Sequence, residues 1–144
     1  MSDVDALQTT LAAEQAATYV FGVLGGRTSR TATPALFATV SSTYAAHRAR
    51  RDLLTREIAD LGAEPVAAEA AYDVPTPLDT PDQVSRAALA TERDCATTYA
   101  WLVASTTGRW RRWAIGALNE TAVRELAFRG TPEMFPGQDE YADR

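Results

Sequence analysis

The chain contains no lysine: all fourteen of its basic residues are arginine. We read this as a codon-composition bias of the source genome and not as phosphate recognition. Histidine and cysteine occur once each, as His47 and Cys95. A single cysteine excludes an intramolecular disulfide, and within a helical pattern it reads as a small core hydrophobe of a reducing compartment. No apolar run approaches the ~18 residues needed to span a bilayer. The opening Met-Ser-Asp-Val-Asp lacks the basic region of a signal peptide, so the expected location is cytoplasmic, with no membrane partner. Positive charge is also short. A net charge of -5 and a pI of about 4.8 give no global attraction to nucleic acid. Against that background the runs Arg48, Arg50, Arg51 and Arg109, Arg111, Arg112 read as solvated helix faces. No P-loop, dinucleotide-binding glycine pattern or Ser-His-Asp constellation is recognisable.

What the chain does have is alanine and period. With 144 residues, 46% of them hydrophobic and 23% charged, it fits one soluble domain that needs no disulfide or metal staple. Abundant alanine favours helix over strand. The clearest periodicity runs from Thr33 to Gly62, where Phe37, Val40, Leu54, Ile58 and Leu61 recur at three-four spacing. Tyr44, His47 and Arg51 interrupt this stripe at its centre. A buried polar break costs free energy unless it is satisfied, so partners are expected on facing helices.

Local signals set the ends of four helices, expected at about 4–24, 34–61, 81–106 and 110–129. Ser2 with Asp5 and Thr80 with Gln83 make capping boxes, and Pro34 and Pro81 occupy first helical positions. Gly25 and Gly26, Gly62, Gly108 and Gly130 mark the stops. From Ala63 to Thr80 the periodicity fails, and Pro65, Pro75 and Pro77 forbid a continuous helix. A connection of that length can travel the whole length of a bundle, so that the third helix starts at the same end as the first, with Tyr72, Val74 and Leu78 pinning the connection down. Residues 1–130 then form the bundle and 131–144 a polar tail.

A shift of 78 residues superposes the seams in kind: Leu11 on Leu89, Glu14 on Glu92, Phe21 on Tyr99, Leu24 on Leu102, Phe37 on Ile115, Val40 on Leu118, Tyr44 on Ala122, His47 on Glu125 and Arg51 on Arg129. The order is thus a helix with an inward glutamate, a helix with Tyr44-Ala-Ala-His47, a long crossover, a second glutamate helix, and Ala122-Val-Arg-Glu125. This order resembles the ferritin-like carboxylate proteins, whose pattern is Glu, then Glu-x-x-His, repeated. The runs Leu7-Gln-Thr-Thr-Leu-Ala-Ala-Glu14 and Tyr44-Ala-Ala-His-Arg-Ala-Arg-Arg-Asp52, with the closing Phe135-Pro-Gly137, are similar to a bacterial ferritin-like domain family of unknown function. The resemblance implies an all-α, ferritin-like four-helix bundle: two antiparallel hairpins joined by a long crossover.

The candidate buried polar site is Glu14, Tyr44, His47, Arg51, Glu92, Glu125 and Arg129. Tyr44 and Ala122 stand where the resemblance places the metal-bridging glutamates, and Glu125 stands where it places the second histidine. Carboxylates cannot share a dry site ionised without compensating charge. The expectation is therefore a metal-free site without cofactor, in which Arg51 or Arg129 pairs with Glu14 or Glu92. The alternative is iron or manganese held by Glu14, His47, Glu92 and Glu125, in a metal-dependent oxidase or oxygen-handling enzyme. Surplus apolar residues Val20, Val23 and Leu36 suggest a homodimer. A small ligand or protein partner is expected, and nucleic acid is not.

Overall fold

In the computed structural model the described residues are 1–129 and 134–138, with the side chain of Arg129 also outside the description. The expected tail and the Arg129 side chain thus lie wholly or largely outside the described residues.

Four helices form, and no strand is present among the described residues: α1 (Asp3–Gly25), α2 (Pro34–Asp60), α3 (Pro81–Ser105) and α4 (Gly108–Arg129). Both capping boxes are made, Ser2 with Asp5 and Thr80 with Gln83. Each satisfies backbone donors that a helix start leaves without intrahelical partners. Thr33 does not cap α2. Its hydroxyl accepts instead from the Ser29 amide at 2.9 Å, and Pro34, whose missing N–H needs no partner, begins the helix. No helix is long and apolar enough to cross a membrane among the described residues.

Packing fixes the direction of each helix. Leu7 and Leu11 near the start of α1 meet Leu54 and Ile58 near the end of α2. Val20, Phe21 and Leu24 near the end of α1 meet Val40 near the start of α2. The two therefore run antiparallel. Val84, Ala87 and Ala88 of early α3 join that second cluster, and Leu102 of late α3 packs on Ala6. The third helix therefore starts where the first one ends, which corrects the expectation that both start at one end. The reason is geometric: α2 finishes beside the start of α1, so a connection that travels the full length delivers α3 to the opposite end. Trp110 at the start of α4 sits with Leu7 and Leu11, so α4 runs alongside α1 in the same direction.

The connection, residues 61–80, is held to α1 by glutamines that act as surrogate backbone. Gln8 donates to the Glu64 carbonyl at 2.6 Å and accepts from the Val66 amide at 2.8 Å. One turn pair further on, Gln15 donates to the Val66 carbonyl at 2.8 Å. Tyr72 then stacks obliquely on Tyr19, with ring centroids 5.6 Å apart, and Val74 and Leu78 pack onto the Phe21 cluster. These contacts satisfy extended backbone that would otherwise depend on water.

Two expectations about helix faces need correction. The buried stripe of α2 is Val40, Thr43, His47, Arg50, Leu54 and Ile58. Tyr44 is only half-buried, and Leu61 is exposed. In addition, Val20 belongs to the core and Leu36 packs on it, so of the apolar surplus that suggested a homodimer only Val23, which lines a surface cavity, stays outside the core. Ile115, paired by the repeat with Phe37, is exposed instead.

Candidate functional site

Glu14 on α1, His47 on α2 and Glu92 on α3 each lie on the inward stripe of their helix, and each is at most 1% exposed. The structure brings these three together. His47 Nδ1 lies 2.8 Å from Glu14 Oε2, and its Nε2 lies 2.5 Å from Glu92 Oε1. A carboxylate faces each ring nitrogen, so the ring is satisfied when both nitrogens donate, as an imidazolium. Burial by itself would lower the His47 pKa, but hydrogen bonds and charge from Glu14 and Glu92 outweigh it and raise the pKa from 6.5 to about 9. The ring also stacks on Phe21, with centroids 5.3 Å apart and planes 20° apart, which places an aromatic face against the cation.

Sequence reasoning missed two members of this network. Tyr99 on α3 donates its hydroxyl hydrogen to Glu14 Oε1 in a short bond. Burial, then the Glu14 charge, pushes the phenol well above its ordinary pKa, which keeps that proton in place. Behind it stands Arg50, whose guanidinium lies over the Tyr99 ring, 5.0 Å from its centroid. One terminal nitrogen donates to the Tyr99 oxygen at 2.9 Å and to Thr121 Oγ1 at 3.1 Å. The other reaches the Ala117 carbonyl at 3.3 Å and Glu120 at 2.7 Å. Burial, the largest single influence, opposes the charge on Arg50, but Tyr99, Glu14 and the hydrogen bonds to Glu120 and Tyr99 together outweigh it, and the pKa rises. Arg50, expected on a solvated face, is buried instead. The available signal was its position, three residues after His47 on the same face of α2.

Two other predicted members, Arg51 and Tyr44, are elsewhere, so the expected pairing of Arg51 with Glu14 or Glu92 is not made. Arg51 is paired with its neighbour Asp52 at 2.7 Å, toward solvent. Tyr44 turns toward α1, where its ring is 3.6 Å from the point a Cβ on Gly22 would occupy. Glu125 is fully buried on α4, one turn beyond the Thr121 that Arg50 contacts. The Arg129 side chain lies outside the described residues.

Glu92 keeps its second oxygen, Oε2, buried without a hydrogen bond. Cys95, one turn along α3, is close: ligand atoms of His47, Glu92 and Cys95 lie within 4.8 Å of one another. Its thiol is pushed well above the ordinary range, by burial first and then by Glu14 and Glu92, so it stays protonated at neutral pH.

Comparison with known proteins gives this chain a structural neighbour and a family. A solved structure, that of the conserved hypothetical protein rv2844 from Mycobacterium tuberculosis, is similar with a TM-score of 0.78 and 28% identity, over 88% of this chain and 87% of that one. No curated protein matches the chain. Residues 6–140 match the family described as domain of unknown function (DUF4439). That match takes in α2, α3, α4, the crossover, the buried network and all but the first three residues of α1, and the chain belongs to this family.

Proposed function

We propose that this protein is a ferritin-like helical bundle whose centre is a metal-free ionic network, and that it works as a binding protein and not as an oxygen-handling enzyme. One observation carries this reading: Glu14 and Glu92 occupy both ring nitrogens of His47. The imidazolium supplies the positive charge that a metal ion supplies in a carboxylate centre. A dinuclear site also needs bridging carboxylates. The positions the resemblance assigns to them hold Tyr44, turned toward Gly22, and Ala122, so these residues do not fit such a centre.

A second reading has its own support in the orphaned Glu92 Oε2 and the nearby thiol. There His47, Glu92 and Cys95 would hold one metal ion, with Glu14 orienting the ring through Nδ1 as carboxylates do behind metal-bound histidines. Such a site would supply Lewis-acid or redox chemistry and would make the protein metal-dependent.

Elemental analysis of protein from cells supplemented with iron, manganese and zinc, together with a pH titration of the only histidine by NMR, separates the two readings. The first predicts substoichiometric metal and a His47 midpoint near 9. A stoichiometric ion whose removal by chelator lowers the melting temperature would overturn it.

A further inference from the structure

The helices α2 and α4 do not pack backbone to backbone as α1 does with α2 and α3 with α4. Between them is an open groove of about 390 Å³, within the range of roughly 300–1,000 Å³ typical of small-molecule sites. Its walls are small or apolar: Ala46, Ala49 and Leu53 from α2, and Trp113, Gly116 and Ala117 from α4. At its floor is the Arg50 guanidinium, only 7% exposed.

The carboxylate on Arg50 belongs to Glu120, whose side chain is 64% exposed and shared with Arg124 at 3.6 Å. Exposed carboxylates hold their partners weakly, so another carboxylate with an apolar body to bury can take its place. The local charge favours that exchange. Arg50, Arg112 and Arg124 stand around one Glu120, although the whole chain carries -5. Arg112, at the rim, has no ion pair among the described residues.

We propose that this groove binds a small amphipathic carboxylate, with its head on Arg50 in place of Glu120 and its apolar body against Ala46, Ala49, Trp113 and Gly116. The proposal rests on the binding-protein reading above and names the ligand class. It also links the ligand to the centre: the Arg50 nitrogens that would meet the head belong to the same planar group that holds Tyr99, which donates to Glu14.

The test is titration of the full chain with octanoate, followed by NMR at the Trp113 indole and the Arg50 side chain. Saturable shifts at both are expected, with a dissociation constant below about 1 mM, and octan-1-ol should bind roughly tenfold more weakly or worse because it lacks the charge. Gly116→Leu should abolish binding, since a Cβ there meets nothing within 4 Å and a longer side chain can fill the groove without disturbing the fold. Glu120→Gln should tighten binding by removing the competing carboxylate. No shift at about 10 mM octanoate, equal binding of octanol, or undiminished binding by Gly116→Leu would each overturn the proposal. Failure of the reading of the centre is visible separately. A stoichiometric metal with octanoate binding intact would refute the metal-free centre and support the groove, whereas a metal-free centre with a silent groove would refute the groove alone.

Discussion

Raising the pH through the range in which most proteins are indifferent should destabilise this one sharply. His47 is fully buried between two carboxylates, and its pKa is about 9 in the folded protein against an ordinary 6.5. Below pH 6.5 both folded and unfolded chains carry the proton, and the full stabilisation is present. Between 6.5 and 9 the unfolded chain releases the proton while the folded one keeps it, so stability falls with pH and the contribution is gone above about 9. At about 1.4 kcal/mol per pH unit the whole loss is about 3 kcal/mol. For a chain of this size that lowers the melting temperature by roughly 9 °C. The composition makes the measurement clean. There is no second histidine and no lysine, and the Cys95 thiol, pushed well above its ordinary range in the folded protein, adds a loss of its own only above about pH 9, in parent and variant alike. Urea denaturation at pH 6, 7.5 and 8.5, with His47→Gln as the control for every other group, should show a steep slope in the parent chain and little in the variant. A histidine ring signal titrating near 6.5, or a parent as pH-independent as His47→Gln, would refute the reasoning.

Helix ends were legible because their chemistry is local. Asp5 and Gln83 sit three residues from Ser2 and Thr80, and Pro34 and Pro81 announce their own positions. That Glu14, His47 and Glu92 face inward at one depth was legible from the internal repeat; that His47, and not Arg51, stands between the two carboxylates was not. The centre of α2 was harder. A seam of period 3.5 on a helix of 3.6 residues per turn leaves 43 or 44, and 50 or 51, as rival inward positions. Hydrophobicity favours Tyr44 over Thr43, but Thr43 satisfies its hydroxyl on the Thr39 carbonyl at 2.8 Å and buries completely. Charge alone cannot separate Arg50 from Arg51. What separates them is Tyr99, Thr121 and the Ala117 carbonyl, which come from α3 and α4, 49 to 71 residues away. Glutamines that pin the crossover were invisible for the same reason: Gln8 and Gln15 are ordinary surface residues until a connection more than fifty residues away lies beside them.

Tyr99→Phe removes the hydroxyl that links Arg50 to Glu14 and should cost about 2 kcal/mol in urea denaturation, as for hydrogen bonds to charged groups; a loss below about 0.5 kcal/mol would show that the link is not made. Gly137 has φ +83, and a Cβ there would lie 2.6 Å from the Ala96 carbonyl oxygen on α3. Gly137→Ala should therefore release the 134–138 turn, seen as faster exchange of the Gln138 amide that now bonds to the Phe135 carbonyl, while core amides keep their protection. Unchanged Gln138 exchange would count against the docking. The neighbouring arginines give the sharpest contrast, because substitution to Met removes the same charge and keeps similar bulk at both. Arg50 is 7% exposed and holds Tyr99, Thr121 and the Ala117 carbonyl, so Arg50→Met leaves buried acceptors without a donor and weakens the charge balance of Glu14, at a cost on the order of 3 kcal/mol. Arg51 has a side chain 34% exposed and spends its hydrogen bonds on the adjacent, more exposed Asp52, so Arg51→Met should stay within about 0.5 kcal/mol of the parent. Chemical denaturation of the two variants side by side decides between the registers, and equal losses, or the larger loss at Arg51, would mean that α2 turns a different face to the core.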